Sequence, residues 1–229
     1  MAQNQRADAP ESAAPASEIR QFVVGPIQTN CYAFVSDGEC MVVDPGDSGS
    51  DIADRLDDVD VRLIVATHGH GDHVSGVAAL KEETGAPFAM SAEDRDVAMH
   101  ATENSRFADE DAPEPDRILR EGDEVTVGSA TFHVLAAPGH TPGGLVLLGP
   151  GVAFVGDTIF AGSCGRTDLP GGDPVVMGRT LARLRTLIPP ETVLLCGHND
   201  VTTMQIELER NPFLNGQASR EDLGSGRPE

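Results

Sequence analysis

Short apolar runs alternate with polar, amphipathic stretches from Ile19 onward. The runs 19–25, 31–36 and 39–46 (IRQFVVG, CYAFVS, ECMVVDPG) read as strands, the third closing on the turn Asp44-Pro45-Gly46. A helix is predicted over 48–59, and VRLIVAT at 61–67 is a continuous apolar run, the pattern of a strand buried on both faces. The next helix, 73–85, carries Val74, Val77, Ala78 and Leu80 near one side and ends at Gly85. A strand at 87–91 and a helix at 92–101 follow, and the polar, proline-containing stretch 102–120 reads as a long surface loop.

The second half continues in the same style. Strands are predicted at 124–128, 131–137, 145–149, 152–156 and 192–197, and helices at 174–187 and 202–213, the last with a threonine available as its N-cap. Between them lies the Gly-rich stretch FAGSCGRTDLPGGD. Mostly antiparallel-looking strands flanked by helices in both halves predict an α/β (α+β) protein with two packed sheets covered by helices outside. One domain is expected over 18–215. The Ala/Pro/Ser-rich segment 1–17 and the segment 216–229 have nothing to bury and read as disordered tails.

Composition narrows the partners. The 229 residues carry 16 Lys and Arg against 37 Asp and Glu, a net charge of −21. Such a surface repels nucleic acid and anionic lipid, since phosphate binding rests on Lys and Arg. No apolar run approaches the roughly 18 residues a membrane span needs. Lys81 is the only lysine, and the carboxylates are mostly Asp. Self-repulsion of this size destabilises the compact state unless salt screens it. Adaptation to high salt and drift in base composition both account for the bias, and they differ in whether added KCl raises stability. Cys31, Cys40, Cys164 and Cys196 are far apart, with no C-x-x-C pair, and the N-terminus lacks an apolar leader. A cytoplasmic protein with reduced thiols is the expectation.

The candidate chemistry sits in Thr67-His68-Gly69-His70-Gly71-Asp72-His73, directly after the buried run VRLIVA. In an extended segment residues i and i+2 point the same way, so His68 and His70 can grip one metal ion. Asp72 and His73 come round the bend, where a second ion can sit. Neutral imidazoles and carboxylates suit zinc, iron or manganese. Three further candidates each follow a strand and a glycine: His140 in Pro138-Gly139-His140, Asp157 in Gly156-Asp157 and His198 in Gly197-His198. Seven ligands from four strand ends match what a two-metal pocket requires. His100 and His133 fall outside this pattern.

The motifs THGHGDH, PGHTPG, GD and GH, in that order, resemble those of the metallo-β-lactamase-fold hydrolases, from about Phe22 to Leu214. The resemblance implies an αββα sandwich of two mixed sheets with the metals at one edge. It implies a first metal on His68, His70 and His140, a second on Asp72, His73 and His198, and Asp157 bridging them. GDTIFAGSCGRTDLPGGD and GHNDVTTMQIELERNPF are similar to the glyoxalase II-like thioesterases, in particular the short bacterial form. The implied cofactor is a pair of divalent ions, zinc first, with iron or manganese as alternatives. The implied reaction is hydrolysis of a small-molecule thioester such as S-lactoylglutathione by hydroxide generated at the metals, with Asp72 both binding metal and orienting the nucleophile.

Arg166 is the expected substrate contact, and a surface pairing of that arginine with Asp168 or Asp173 is the alternative. Asp44 reads slightly more as a turn residue than as a buttress for a ligand, and Cys164 as a small buried thiol. The persulfide dioxygenases share the fold and a segment like Cys164 to Asp168, and would use one iron on His68, His140 and Asp157. A non-catalytic or oxygen-reducing metal protein is a further alternative. Two departures from full-length glyoxalase II, Asp168 where a tyrosine is expected and Gly69 where a histidine is, leave the thiol half of the substrate open.

Overall fold

The computed structural model describes residues 17–218. The expected tails lie outside the described residues, apart from Ser17 and the residues 216–218. The first sheet holds, in order, β1 (Glu18–Val24), β2 (Thr29–Ser36), β3 (Glu39–Val43), β4 (Asp60–Val65), β5 (Phe88–Met90) and β6 (Arg117–Ile118). The second runs β14 (Thr202–Thr203), β13 (Val193–Cys196), β10 (Val152–Gly156), β9 (Leu145–Leu148), β8 (Ala130–Ala136) and β7 (Glu124–Val127). A small hairpin, β11 (Ile159–Phe160) with β12 (Ser163–Cys164), lies within the Gly-rich stretch, where no strand was expected.

Period-two alternation sorts each apolar run onto two cores. In β2, Tyr32 and Phe34 face the space between the sheets, while Cys31, Ala33 and Val35 face the first helical layer. In β10, Phe154 joins the inter-sheet core and Ala153 and Val155 face the second helical layer. Phe132 is central, edge-on to Phe34 with centroids 4.8 Å apart. Helices cover both outer faces. On the first sheet α1 (Gly49–Asp54) and α3 (Val77–Thr84) bury Ile52, Val77 and Leu80. On the second α6 (Pro174–Leu187) buries Met177, Leu181 and Leu184, a helical spacing. Asp173 caps α6, its carboxylate accepting from the amides of Val175 and Val176 with Pro174 in the first turn. The result is the αββα sandwich.

Both sheets are mixed, as the resemblance implies: the second is antiparallel except for one pair, and the first joins three parallel pairs to two antiparallel ones. The pairs β3–β4, β4–β5, β5–β6 and β10–β13 are parallel, because the chain between the members of each pair crosses over through helical segments. Several predicted helices are also shorter. The stretch 48–59 is helical only to Asp54, and Asp57 and Asp58 would sit badly at a helix C-terminus. The stretch 73–85 splits into α2 (Gly71–Val74) and α3, since at Gly76 the backbone packs onto the 45–47 turn and its amide donates to the Pro45 carbonyl at 2.8 Å. Gly85 ends α3 in a left-handed conformation, as expected. The stretch 92–101 forms only the single turns α4 (Arg95–Ala98) and α5 (Ala101–Asn104). The last predicted helix is α7 (Met204–Arg210), capped by Thr203, then α8 (Pro212–Asn215), with Pro212 enforcing the break.

Topology sets the site. β8, β10 and β13 all point the same way, so the segments after them emerge at one edge of the second sheet. The segment after β4 reaches the same edge from the first sheet: the Leu145 amide donates to the Thr67 carbonyl at 2.8 Å, joining the two.

Candidate metal centre

All seven candidate ligands converge at that edge. His68, His70 and His140 offer ligand atoms within 4.8 Å of one another, and so do Asp72, His73 and His198. Asp157 groups with His68 and His73 and lies between the two sets: Oδ1 is 3.3 Å from His73 Nε2, and Oδ2 is 3.5 Å from His140 Nε2 and 3.6 Å from His198 Nε2. Three imidazoles are therefore in near contact with the one Asp157 carboxylate. His133 and His100 are exposed and elsewhere, against Glu124 and the Asp96 carbonyl.

Three of the imidazoles, those of His140, His68 and His73, face a polar group outside the site. His140 Nδ1 donates to the Arg166 carbonyl at 2.7 Å, which turns Nε2 into the site, 2.9 Å from His70 Nδ1. His68 Nδ1 meets Thr67 Oγ1 at 3.2 Å. His73 Nδ1 lies 3.1 Å from Asp44 Oδ2. Asp44 also accepts from the Thr67 amide at 2.6 Å and its hydroxyl at 2.7 Å, so one buried carboxylate backs two histidines. Asp44 therefore answers to both readings: it turns the chain, at φ 56, and its carboxylate backs Thr67 and stands beside His73.

Two other supports were not legible in the sequence. Asp94 is fully buried and accepts from the Gly69 amide at 3.0 Å and the Gly143 amide at 2.7 Å, tying the loop of His68 and His70 to the loop of His140. A Cβ at Gly143 would stand 2.6 Å from the Asp94 carboxyl carbon, so only glycine allows this approach. Burial raises the Asp94 carboxyl above its ordinary range against the pull of these amides. Asn30 donates through Nδ2 to the Cys196 and Asn199 carbonyls at 3.0 and 2.9 Å, and Tyr32 donates to Cys196 at 2.9 Å, which seats the His198 loop on β2. A buried Asn before an apolar run is a signal in principle; nothing in AEDRD distinguishes Asp94 from its acidic neighbours.

Electrostatics match a cation site. Burial and the neighbouring His73 hold His68 well below its ordinary pKa, and burial with His140 lowers His70 to about 4, so both rings are neutral ligands. Burial alone would raise Asp72 and Asp157, but the charge of His73 outweighs it and keeps both carboxylates ionised. Against burial, Asp157, Asp72 and Asp44 hold His73 well above its ordinary pKa; a bound metal would take the place of that proton. His68 Nε2, His73 Nε2 and Asp157 Oδ1 are buried without a hydrogen-bond partner. Orphaned polar atoms of this kind are costly unless something binds them, and imidazole nitrogens with carboxylate oxygens are the donors zinc, iron and manganese take. The residues fit a metal pair.

His70, Asp72, His140, Asp157 and His198 floor a cleft of ≈ 690 Å³, walled by Ile27, Phe107, Phe160, Cys164, Arg166 and Leu169 among others. Arg166 is on this wall, with Nε and Nη2 both bonded to Asp168 at 2.6 Å. Cys164 is nearly buried and its thiol is pushed up to about 12, so it stays protonated; all four cysteines are buried and unpaired. No helix among the described residues is long and apolar enough to cross a membrane.

Two adjoining His/Asp clusters at the strand ends of an αββα sandwich define a dinuclear-metal-binding hydrolase. The chain belongs to the metallo-beta-lactamase superfamily, whose profile matches residues 24–198. It is 34% identical over 213 residues to the hydroxyacylglutathione hydrolase GloC of Haemophilus influenzae, a match covering 87% of this chain and 99% of that protein. Among solved structures it resembles the BLEG-1 B3 metallo-beta-lactamase (TM-score 0.80, 31% identity, 87% of this chain and 100% of that one). It also resembles TTHA1623 in a di-iron-bound form (TM-score 0.77, 35% identity, 88% and 100%).

Proposed function

We propose that this protein hydrolyses a small-molecule thioester, such as S-lactoylglutathione, with two divalent ions, zinc in the first instance. The observation that carries the reading is the pair of three-residue clusters meeting at Asp157 on the floor of the cleft. His68, His70 and His140 would hold one ion, Asp72, His73 and His198 the other, and Asp157 would be shared. Such a pair of ions acidifies water near neutral pH and polarises an acyl oxygen.

The chain's own contribution is orientation. Asp72 is kept ionised, with Oδ2 3.1 Å from both Thr29 Oγ1 and His198 Nε2, and is placed to align the attacking water and accept its proton. The Arg166 carbonyl fixes the His140 tautomer, and Asp44 fixes His73. The protonated Cys164 is a poor nucleophile, which leaves water as the attacking group. Arg166 lines the wall with its fork already bonded to Asp168, so its contact with substrate is not a free carboxylate clamp. The likeness to GloC supports a glutathione thioester as first substrate. A mono-iron persulfide dioxygenase would need only His68, His140 and Asp157, and would leave the complete Asp72, His73, His198 cluster without a task.

The test is hydrolysis of S-lactoylglutathione by zinc-loaded protein, followed by loss of thioester absorbance. Turnover that disappears on chelation and returns with zinc is expected. Protein that holds two ions per chain and leaves S-lactoylglutathione and other acyl thioesters intact would overturn the proposal.

A further inference from the structure

The cleft has a second arginine on its wall. The end of α5 and the segment after it contribute Asn104, Ser105, Arg106 and Phe107, a stretch that reads in the sequence as plain surface loop. It is pinned rather than draped. The Asp109 and Glu110 amides donate to Ser75 Oγ at 2.9 and 3.0 Å, the Ala112 amide donates to the Ala98 carbonyl at 3.0 Å, and Asp111 accepts from the Thr102 amide at 2.8 Å. Its inner side closes on Gly71, between the ligands His70 and Asp72: a Cβ there would lie 2.9 Å from Ser105 Cβ and 2.6 Å from Ala108 Cβ. Arg106 therefore stands on an anchored segment beside the metal cluster.

The state of the two arginines differs. Arg166 is bonded twice to Asp168, an arrangement that spends the fork geometry suited to a carboxylate. Arg106 has no carboxylate within salt-bridge distance among the described residues. Its guanidinium carbon lies over the face of Phe107, 4.7 Å from the ring centroid, a contact that steadies the group without a carboxylate. Other described arginines, among them Arg55 over Phe22, also lack an acid partner. Arg106 is the one of these that lines the cleft with His70, Asp72 and Asp157.

We propose that Arg106 is the residue that receives a carboxylate of the thiol half of the substrate. This rests on the thioesterase reading, but binding tests it separately from turnover. The probe is S-hexylglutathione, a thioether that cannot be hydrolysed, compared with its diamide, in which both carboxylates are neutral. Affinities are measured by calorimetry on the metal-loaded wild type, on Arg106→Gln and on Arg166→Gln, each first shown to carry the wild-type metal load.

The expected result is that wild-type protein prefers the acid over the diamide by about tenfold or more, the ratio for one charge-assisted contact. Arg106→Gln should lose that preference while binding the diamide as before, and Arg166→Gln should keep most of it. Equal affinity of the wild type for acid and diamide would overturn the proposal, as would a preference that survives in Arg106→Gln or vanishes only in Arg166→Gln. Failure of the thioesterase reading would show instead as absent hydrolysis with the acid preference intact.

Discussion

Replacing Asp94 by alanine tests whether the ligand loops are held from behind. Asp94 is fully buried, and its two carboxylate oxygens accept from the Gly69 and Gly143 amides at 3.0 and 2.7 Å. The substitution leaves two buried donors without an acceptor, at about 1–3 kcal/mol each. Relief of the burial cost of the carboxylate, visible in its raised pKa, offsets part of that, so the net loss should be about 3 kcal/mol. In a chain of this size that corresponds to a fall of roughly 6–12 °C in the unfolding midpoint. Asp94→Asn keeps one acceptor oxygen and should lose about half as much, roughly 1–2 kcal/mol. The loops concerned carry His68, His70 and His140, so the affinity of one ion should fall about 10–100-fold with the other less affected, the range seen when supports behind metal ligands are removed. Urea unfolding of the metal-free protein reads the first effect, and a two-site metal titration reads the second. An Asp94→Ala protein with the wild-type urea midpoint and the wild-type titration would refute the reasoning.

Four other outcomes follow from the same geometry. Asp44→Ala strips the acceptor from Thr67 and the partner from His73, and should weaken metal binding about 10–100-fold with the ligands intact, measured by competition with a chromophoric chelator. Asp72→Asn should lower kcat for thioester hydrolysis by about a hundredfold or more, the usual range for a lost proton acceptor, and an unchanged kcat would remove Asp72 from the chemistry. Gly197→Ala would place a Cβ 2.3 Å from Asp157 Oδ1 and 2.6 Å from His73 Cε1, so metal content should drop with little change in far-UV dichroism. The unfolding temperature should rise with added KCl, because screening shortens from about 10 Å at 0.1 M to about 3 Å at 1 M and relieves a net charge of −21; a midpoint that does not move with KCl would leave the acidic surface as compositional drift.

Much of the fold was legible because the apolar runs obey simple periods. The continuous run of β4 calls for burial, and the structure buries Leu63, Ile64 and Val65; α6 buries Met177, Leu181 and Leu184 at helical spacing and leaves Val175 and Leu187 exposed. The parallel pairings were not legible, since strand direction depends on how α1, α3 and α6 cross over rather than on any residue in the strands. The ligands stood out because a metal needs several donors close together, and the motif after β4 places four of them within six residues. Their supports did not. Asn30 acts on carbonyls of residues 196 and 199, and Asp94 on amides of residues 69 and 143, partners joined only when the two sheets meet. Arg106 was hidden for the same reason: its place on the cleft wall comes from packing of its loop on Gly71.

One chain is expected to carry two metal ions in adjoining sites that share Asp157. Metal content per chain decides this, by elemental analysis of protein purified without added metal or chelator. The expected result is close to two ions of zinc, iron or manganese per chain. Close to one iron per chain and no other metal would contradict it, and would turn the chemistry toward persulfide oxidation on His68, His140 and Asp157.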